Sequence, residues 1–466
     1  MGFKTDSQRS ILGALTGEPP PRRYFGTDGI RGPLDSPLLA EMFVRRLGRA
    51  LGRHLADRSG HRPRHVVLGQ DTRASGAVLG RWLVEGLAAQ GVHIYNIGVV
   101  PTPAVAMAVR DLQADLGIVL TASHNPASDN GIKLFGPDGY KLDDETELAL
   151  EARIDAEPAP VGGAADPFPY DGAGFYRNVM RSILHEGSLG GWRIVVDAAN
   201  GATVNTTPAV LRELGAEVDV LGGAPNGTNI NAGVGSEYPE VMCARVREIG
   251  ADLGIAHDGD GDRLVVCDQH GDLVDGDELL AMVGLHALRE GRLEHRTLVA
   301  TVMSNLGLDL AIEAAGGKVV RTAVGDRYVI HEMRRHGYTM GGENSGHLVF
   351  ADVSTTGDGL LAALKVMRVL LKTRQGMAQA RQVLTLFPQR RRNLRIAERI
   401  PFSDCPGLQD RLNQIENGLG RGRLLVRYSG TEALLRVMVE AEAAALADQG
   451  LAAVEEALRA ALPVQP

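Results

Sequence analysis

The chain has little cysteine, few aromatic side chains, no excess of positive charge and no long apolar run, and each shortage removes a class of protein. Three cysteines, Cys243, Cys267 and Cys405, occur in 466 residues. They are odd in number and far apart, so neither a disulfide framework nor a CxxC metal knuckle is available, and a reducing compartment, the cytoplasm, is expected. Lys and Arg number 49 against 57 Asp and Glu, a formal net charge of -8. That balance predicts no nucleic-acid partner and no anionic membrane, because phosphate backbones reward clustered positive charge. A local basic pocket stays allowed. The start of the chain holds only the short apolar run Ile11 to Leu15 before Pro19-Pro20-Pro21. This is too little for a secretory core, no later stretch approaches about 18 unbroken apolar residues, and Asp6 stands where a myristoylation signal wants Ser or Thr. Residues 1–22 are read as a mobile extension. With no export signal, Asn205-Thr206-Thr207 and Asn226-Gly227-Thr228 are chance glycosylation matches. The absence of a Walker loop and of a Gly-x-Gly-x-x-Gly fingerprint leaves nucleotide cofactors without support.

Aromatics make up 4% of the chain and glycines number 58, so small aliphatics must build the cores and tight αβ turns must be frequent. The pentapeptide Ala-Asp-Leu-Gly-Ile occurs at 114–118 and again at 251–255, each time running into a polar loop. Upstream, apolar strands (Val66 to Arg73, Ile194 to Asn200, Leu298 to Asn305) precede helical segments closed by Gly91, Gly215 and Gly316. Repeats of this size mean duplicated architecture, and the alternation reads as βαβ units on mainly parallel sheets, with functional loops at strand carboxyl ends. The expected fold class is α/β: three related domains with mainly parallel sheets, then a smaller C-terminal α+β domain. In that last domain Gly422 to Arg427 reads as a strand and Ala441 to Leu462 as an alanine-rich helix. A Pro/Gly/Ala-rich linker is expected over Asp155 to Gly172, and the charge run Pro388 to Arg392 breaks the pattern. The division is 23–172, 173–278, 279–388 and 389–466.

Asp258, Asp260 and Asp262 alternate with glycines, so three carboxylates can converge on one point, and oxygen-only ligands favour Mg²⁺, Ca²⁺ or Mn²⁺. An EF-hand is excluded because its sixth position is Arg263 and its twelfth Gln269. An acidic surface turn is the bland alternative, but three carboxylates this close repel one another without a cation. Ser123 sits in the corresponding loop of the first repeat, where Asn125-Pro126 would hold its hydroxyl out at the domain surface. A serine satisfying its own turn would be the default there, except that a metal loop stands in the equivalent position and a phosphorylated serine could share that metal. Lys133 reads as a proton-transfer group, a phosphate partner or a solvated surface lysine. Gly341-Gly342-Glu343-Asn344-Ser345-Gly346-His347 carries groups suited to sugar hydroxyls, although a lone His is more often structural. Arg427-Tyr428-Ser429-Gly430-Thr431-Glu432 has the inventory of a phosphate cradle. Arg31, inside Phe25-Gly26-Thr27-Asp28-Gly29-Ile30-Arg31-Gly32, reads as an anion ligand or an ordinary interdomain ion pair.

In this order the motifs resemble the α-D-phosphohexomutase family from about Tyr24 onward. The segments Phe25 to Gly32 and Asn229-Ile230-Asn231-Ala232-Gly233 are similar to the members that interconvert glucosamine 6-phosphate and glucosamine 1-phosphate for cell-wall precursors. The resemblance implies four domains around one cleft and a phosphoserine at Ser123. It implies Mg²⁺ held by the serine phosphate with Asp258, Asp260 and Asp262, and a reacting end served by Arg31, Lys133, Arg263 and His347. Glu343 and Ser345 would bind sugar hydroxyls, His124 would also touch substrate, and Arg427, Ser429, Gly430 and Thr431 would hold the non-reacting phosphate. Ser123 would be activated by phosphorylation, with glucosamine 1,6-bisphosphate or glucose 1,6-bisphosphate as activator, and a homodimer is allowed. Two departures stand out. Tyr428 and Ala433 replace prolines common in the phosphate loop, which should loosen it, and Ser236-Glu237-Tyr238 replaces the usual Ser-Thr-His. The alternatives are mannose- or glucose-phosphate mutases of the same family, a silent sugar-phosphate binder, and a metal-dependent phosphatase.

Overall fold

Three times along the chain the same order of elements recurs, and the sheet topology repeats with it. A computed structural model describes residues 22–26, 28–59, 62–158, 166–429 and 433–465. The first pass comprises β1 (Ile30–Pro33), α1 (Glu41–Ser59), β2 (Arg64–Gln70), α2 (Gly76–Ala88), β3 (Val92–Val99), α3 (Thr102–Asp111), β4 (Leu116–Leu120), β5 (Asp129–Phe135), α4 (Asp144–Ala156) and β6 (Phe168–Pro169), in a sheet ordered β1-β5-β4-β2-β3-β6. The second comprises α5 (Gly172–Arg181), β7 (Arg193–Asp197), α6 (Thr207–Glu213), β8 (Glu217–Leu221), α7 (Pro239–Ile249), β9 (Leu253–Ala256), β10 (Val265–Cys267) and β11 (Leu273–Val274), ordered β11-β10-β9-β7-β8. The third comprises α8 (Gly276–Arg289), β12 (Thr297–Thr301), α9 (Leu306–Ala314), β13 (Lys318–Thr322), α10 (Asp326–His336), β14 (Met340–Gly342), β15 (Leu348–Phe350), α11 (Gly359–Thr373) and α12 (Met377–Ala380), ordered β13-β12-β14-β15.

In each pass a parallel strand runs into a polar loop and returns as an antiparallel strand: β4 into β5, β9 into β10, β14 into β15. The repeated pentapeptides end in β4 and β9, whose residues are buried throughout because helices cover both faces of the sheet. The return strands make the sheets mixed. Gly91, Gly215 and Gly316, the expected helix stops, all have positive φ.

Among the described residues, 22–301 together with 320–383 form one compact unit, and 302–319 with the chain from 384 onward form another. The second unit holds β16 (Gln389–Arg395), α13 (Leu408–Gly418), β17 (Arg423–Tyr428), β18 (Leu434–Glu440) and α14 (Ala444–Ala461) around an antiparallel sheet ordered β16-β18-β17. Its core takes Leu394, Leu412, Leu424, Val437, Val439, Val454 and Leu458. Within this unit α9 is tied on through the Leu306 amide, which donates to buried Glu440 Oε1 at 2.7 Å.

Three expectations change. The charge run is itself a strand: β16 pairs with β18 from Gln389↔Glu440 to Arg395↔Leu434, and this backbone pairing substitutes for the apolar pattern the arginines lack. The expected linker carries structure at both ends, since α4 reaches Ala156 and Phe168–Pro169 pairs with Tyr95 and Asn96; residues 159–165 lie outside the described residues. Arg22, counted with the extension, is half-buried, its side chain held in ion pairs with Asp144 and Glu147, while residues 1–21 lie outside the described residues. Among the described residues no helix is long and apolar enough to cross a membrane.

Helices α1 and α2 meet at two glycines, and a Cβ on Gly48 would stand 2.5 Å from the Leu83 carbonyl oxygen. Gly48→Val therefore forces the helices apart, with an expected destabilisation of about 1–3 kcal/mol. Calorimetric melting checks this, and an unchanged transition would show that the pair separates without cost.

Candidate active site

Ser123 follows β4 by three residues, where the chain bends through φ +51, a region non-glycine residues seldom adopt. Its amide donates to Thr121 Oγ1 at 2.9 Å, and its hydroxyl donates to Asp258 Oδ2 at 2.6 Å. The serine is buried, contrary to the expected surface hydroxyl, because the loop after β9 packs over it. That approach requires glycine: a Cβ on Gly259 would stand 2.5 Å from the Ser123 carbonyl oxygen. The glycine next along, Gly261, has φ +74.

Asp258, Asp260 and Asp262 each present one oxygen within 4.8 Å of the others, and all three residues are buried. Thr102, first residue of α3, donates from Oγ1 to Asp260 Oδ2 at 2.6 Å and from its amide to the Asp260 carbonyl at 2.9 Å. Asp260 Oδ1 and Asp262 Oδ1 are buried without a hydrogen-bond partner. Unsatisfied carboxylate oxygens are costly to bury, so their convergence fits a hard divalent cation with oxygen ligands. The electrostatics agree: burial, then Asp262 and Asp260, push the Asp258 carboxyl well above the ordinary carboxylate range.

Cations surround this acid group. Lys133, opposite Val119 in the β4–β5 pair, places Nζ 2.8 Å from Asp260 Oδ2, 2.9 Å from Asp28 Oδ2 and 3.4 Å from Asp262 Oδ2. It is 2% exposed, which overturns the solvated-lysine reading. Burial alone would lower its pKa, but Asp260, Asp28 and Asp262 outweigh burial and hold it well above normal, so it stands as a fixed cation. His347 has Nδ1 3.6 Å from Asp262 Oδ1 and Nε2 3.4 Å from Asp326 Oδ2. Burial opposes its charge, yet Asp262 and Asp326 raise it to about 9, making it an imidazolium at neutral pH. Arg31 pairs with Asp28, three residues away, at 3.0 Å, so its ion pair is local and not interdomain. Arg263 donates its amide to Asp258 Oδ1 at 3.3 Å and lies 3.8 Å from Glu237, one of the departures.

The structure thus links Ser123, Lys133, the three aspartates, Arg263 and His347 by direct contact, with Arg31 one step away through Asp28. His124, partly exposed, has Nδ1 3.4 Å from Ser123 Oγ; burial, then Arg263, lowers its pKa. The sugar-loop candidates stand apart from this cluster. Glu343 Oε1 accepts from the Gly325 amide at 2.9 Å, and Ser345 is exposed. Their loop is docked on the metal loop through Leu264, whose amide donates to the Gly346 carbonyl at 3.0 Å. Sequence reasoning gave no role to Asp28, Thr102, Lys141 and Asp326. Lys141 pairs with Asp28 and lies 2.6 Å from Asp326 Oδ2. Asp28 lay inside a quoted motif, whereas Lys141 and Asp326 are 185 residues apart and carry no local signal.

In the second compact unit Arg427 lies directly opposite Arg436 across β17 and β18, and burial, then Arg436, lowers its pKa. Two guanidiniums facing each other favour an anion between or beside them. Ser429 is buried, and its carbonyl accepts from Arg399. Gly430 and Thr431 lie outside the described residues. Tyr428, expected to loosen the loop, is itself fastened: its ring stacks on Phe402 at 5.1 Å and its hydroxyl donates to the Ile400 carbonyl at 2.5 Å.

Comparison with known proteins gives four consecutive matches to phosphoglucomutase/phosphomannomutase domains: α/β/α domain I over residues 22–160, α/β/α domain II over 178–271, α/β/α domain III over 275–387 and the C-terminal domain over 392–457. The chain is 44% identical to the phosphoglucosamine mutase of Syntrophotalea carbinolica over 429 residues, covering 90% of this chain and 94% of that one. It is 47% identical to the phosphoglucosamine mutase of a strain of Nitratidesulfovibrio vulgaris over 433 residues, with 90% and 95% covered. A crystal structure of a phosphoglucomutase/phosphomannomutase family protein from Burkholderia thailandensis matches with a TM-score of 0.80 at 26% identity, covering 94% of this chain and 98% of that one.

The raised Asp258 pKa has a measurable consequence. A cation entering the aspartate loop competes with protons for a carboxyl whose proton affinity burial has raised, so metal affinity should rise with pH and binding should release protons where that carboxyl is protonated. Calorimetric titration with Mn²⁺ in buffers of different ionisation enthalpy should show that release. Asp260→Asn should weaken binding on the order of tenfold or more, the scale seen even for outer partners of a metal. Binding without proton release and with unchanged affinity in the variant would contradict this reading.

Proposed function

The chain belongs to the phosphoglucomutase/phosphomannomutase family, and from that membership we propose that it is a phosphoglucosamine mutase, interconverting glucosamine 6-phosphate and glucosamine 1-phosphate. The observation that carries the reaction is the Ser123 hydroxyl 2.6 Å from Asp258, beside two buried carboxylate oxygens that receive no hydrogen bond. The choice of sugar is supported by 44% and 47% identity over 90% of the chain to enzymes of that name.

In this reading phosphorylated Ser123 gives its phosphoryl group to the free hydroxyl of the sugar phosphate. The bond from phosphorus to Oγ breaks as the bond to the substrate oxygen forms, and the proton lost by that hydroxyl ends on Oγ. The resulting bisphosphate turns around and returns its other phosphoryl group to the serine. Lys133 and His347, held cationic by their carboxylate neighbours, and Arg31 and Arg263 offer fixed positive charge to the transferring oxygens without reorganisation. Asp258, Asp260 and Asp262 with the Ser123 phosphate would hold Mg²⁺, which supplies charge neutralisation at the transferring group. Glu343, Ser345 and His124 are assigned to the sugar. Arg427 and Ser429, with Gly430 and Thr431, are assigned to the non-reacting phosphate, a cradle that must accept either end.

Glucosamine 1,6-bisphosphate or glucose 1,6-bisphosphate would prime the enzyme by phosphorylating Ser123, and the active assembly would be a monomer or homodimer. A cytoplasmic location is proposed from the scarcity and wide spacing of cysteine in the sequence. We keep 23–172 as the phosphoserine domain, 173–278 as the metal domain, 279–388 as the sugar domain and 389–466 as the phosphate domain.

Phosphorus NMR with Mg²⁺ and a trace of hexose bisphosphate, offering glucosamine 6-phosphate, mannose 1-phosphate and glucose 1-phosphate in parallel, tests the assignment. Glucosamine phosphate should equilibrate fastest; faster turnover of mannose or glucose phosphate would move the protein to another mutase reaction. Ser123→Ala should lower turnover by roughly 10³-fold or more, and chelation of the cation should stop it.

A further inference from the structure

The loop that carries Ser123 is held from beneath by two side chains that the reaction scheme does not use. Arg73, three residues beyond β2, has a side chain with no solvent exposure. Its guanidinium spends every N–H in one place: Nε donates to Asp71 Oδ2 at 2.8 Å, Nη1 to the carbonyls of Asp129 at 2.9 Å and Pro126, and Nη2 to the carbonyls of Ser123 at 3.0 Å and Asn125 at 2.7 Å. Four of those acceptors are backbone carbonyls between residues 123 and 129. From the second sheet's side, Asn231, in the connection from β8 to α7, donates through Nδ2 to the Ser123 carbonyl at 2.8 Å and the Asn125 carbonyl at 3.0 Å. Asn231 is buried and has φ +59, and its amide is anchored on the Ala199 carbonyl at 2.8 Å.

We infer that Arg73 and Asn231 form a backbone clamp that positions Ser123 for phosphoryl transfer. Both grip the same two carbonyls, one from the sheet that bears the serine and one from the sheet that bears the aspartates. In this arrangement Ser123 has φ +51, its carbonyl accepts from both donors, and its Oγ faces Asp258. A serine on a free turn would carry its phosphate away from a loop of three carboxylates; the clamp removes that freedom. Arg73 and Asn231 are positioning residues, and the inference rests on Ser123 being the phosphoryl carrier. Lysine cannot replace Arg73, because one ammonium cannot reach four carbonyls arranged around a planar fork.

The test uses the full chain with Asn231→Ala, Asn231→Asp, which keeps the shape but has no N–H to donate, and Arg73→Lys. On glucosamine 6-phosphate each variant should lose on the order of 10-fold to 100-fold in kcat, the scale of an ångström of misplacement, with KM within about twofold of wild type. Amide hydrogen exchange over residues 121–130 should quicken by about tenfold or more while the rest of the molecule keeps its protection. If Arg73→Lys does not fold, the two Asn231 variants decide. An active wild type with Asn231→Asp unchanged in kcat overturns the clamp alone. Loss of kcat with a parallel rise in KM and unchanged exchange also overturns it. A wild type inert on every hexose phosphate overturns the underlying reading as well.

Discussion

Three carboxylates buried in one five-residue loop, joined by Asp28 and Asp326 on neighbouring elements, set the terms for everything around them. Burying ionised groups is costly unless cations and hydrogen bonds meet them, and removing one partner leaves an uncompensated charge. Here Lys133 arrives from β5, Arg31 from β1, Arg263 from the aspartate loop itself and His347 from the junction of β14 and β15. Lys141 ties Asp28 to Asp326 at the start of α10. The balance is still incomplete, because Asp260 and Asp262 each keep one buried oxygen that receives no hydrogen bond, the one on Asp262 having only the His347 imidazolium 3.6 Å away. The acidic triad is therefore suited to a divalent cation.

The repeated topology explains how so many charges reach one place. Each of the three sheets turns from a parallel strand into an antiparallel one through a short polar loop, and these loops carry Ser123, the aspartates and His347. Packing them together needs backbone contacts that a side chain would block, as Gly259 shows against Ser123 and Gly346 against Leu264. Stability and chemistry are coupled at this point: the contacts that join the repeats are the ones that hold the catalytic candidates.

Much of this was legible in the sequence because it is local. The pentapeptide repeats mark β4 and β9, the glycine-spaced aspartates mark a cation loop, and the apolar runs give the buried strands. What escaped depends on distance. Lys133 looks like any surface lysine until β5 folds back beside β4 and buries it among carboxylates. Arg73 closes a sequence strand, and only the fold shows its guanidinium filled by carbonyls 50 residues or more downstream. The arginine run at β16 breaks the hydrophobic pattern, yet pairing with β18 makes it a strand with Leu394 as its buried anchor. Ser123 was expected at the surface because nothing in its own loop announces the second loop that covers it.

That Ser123 and the aspartate loop form one phosphoryl-transfer site is most directly tested by incubating the protein with glucose 1,6-bisphosphate and Mg²⁺ and mapping the product by mass spectrometry. One phosphoryl group should appear on Ser123 and leave again when excess glucosamine 6-phosphate is added. A protein that acquires no phosphate, carries it on another residue, or holds it on Ser123 indefinitely in the presence of sugar phosphate would contradict that site.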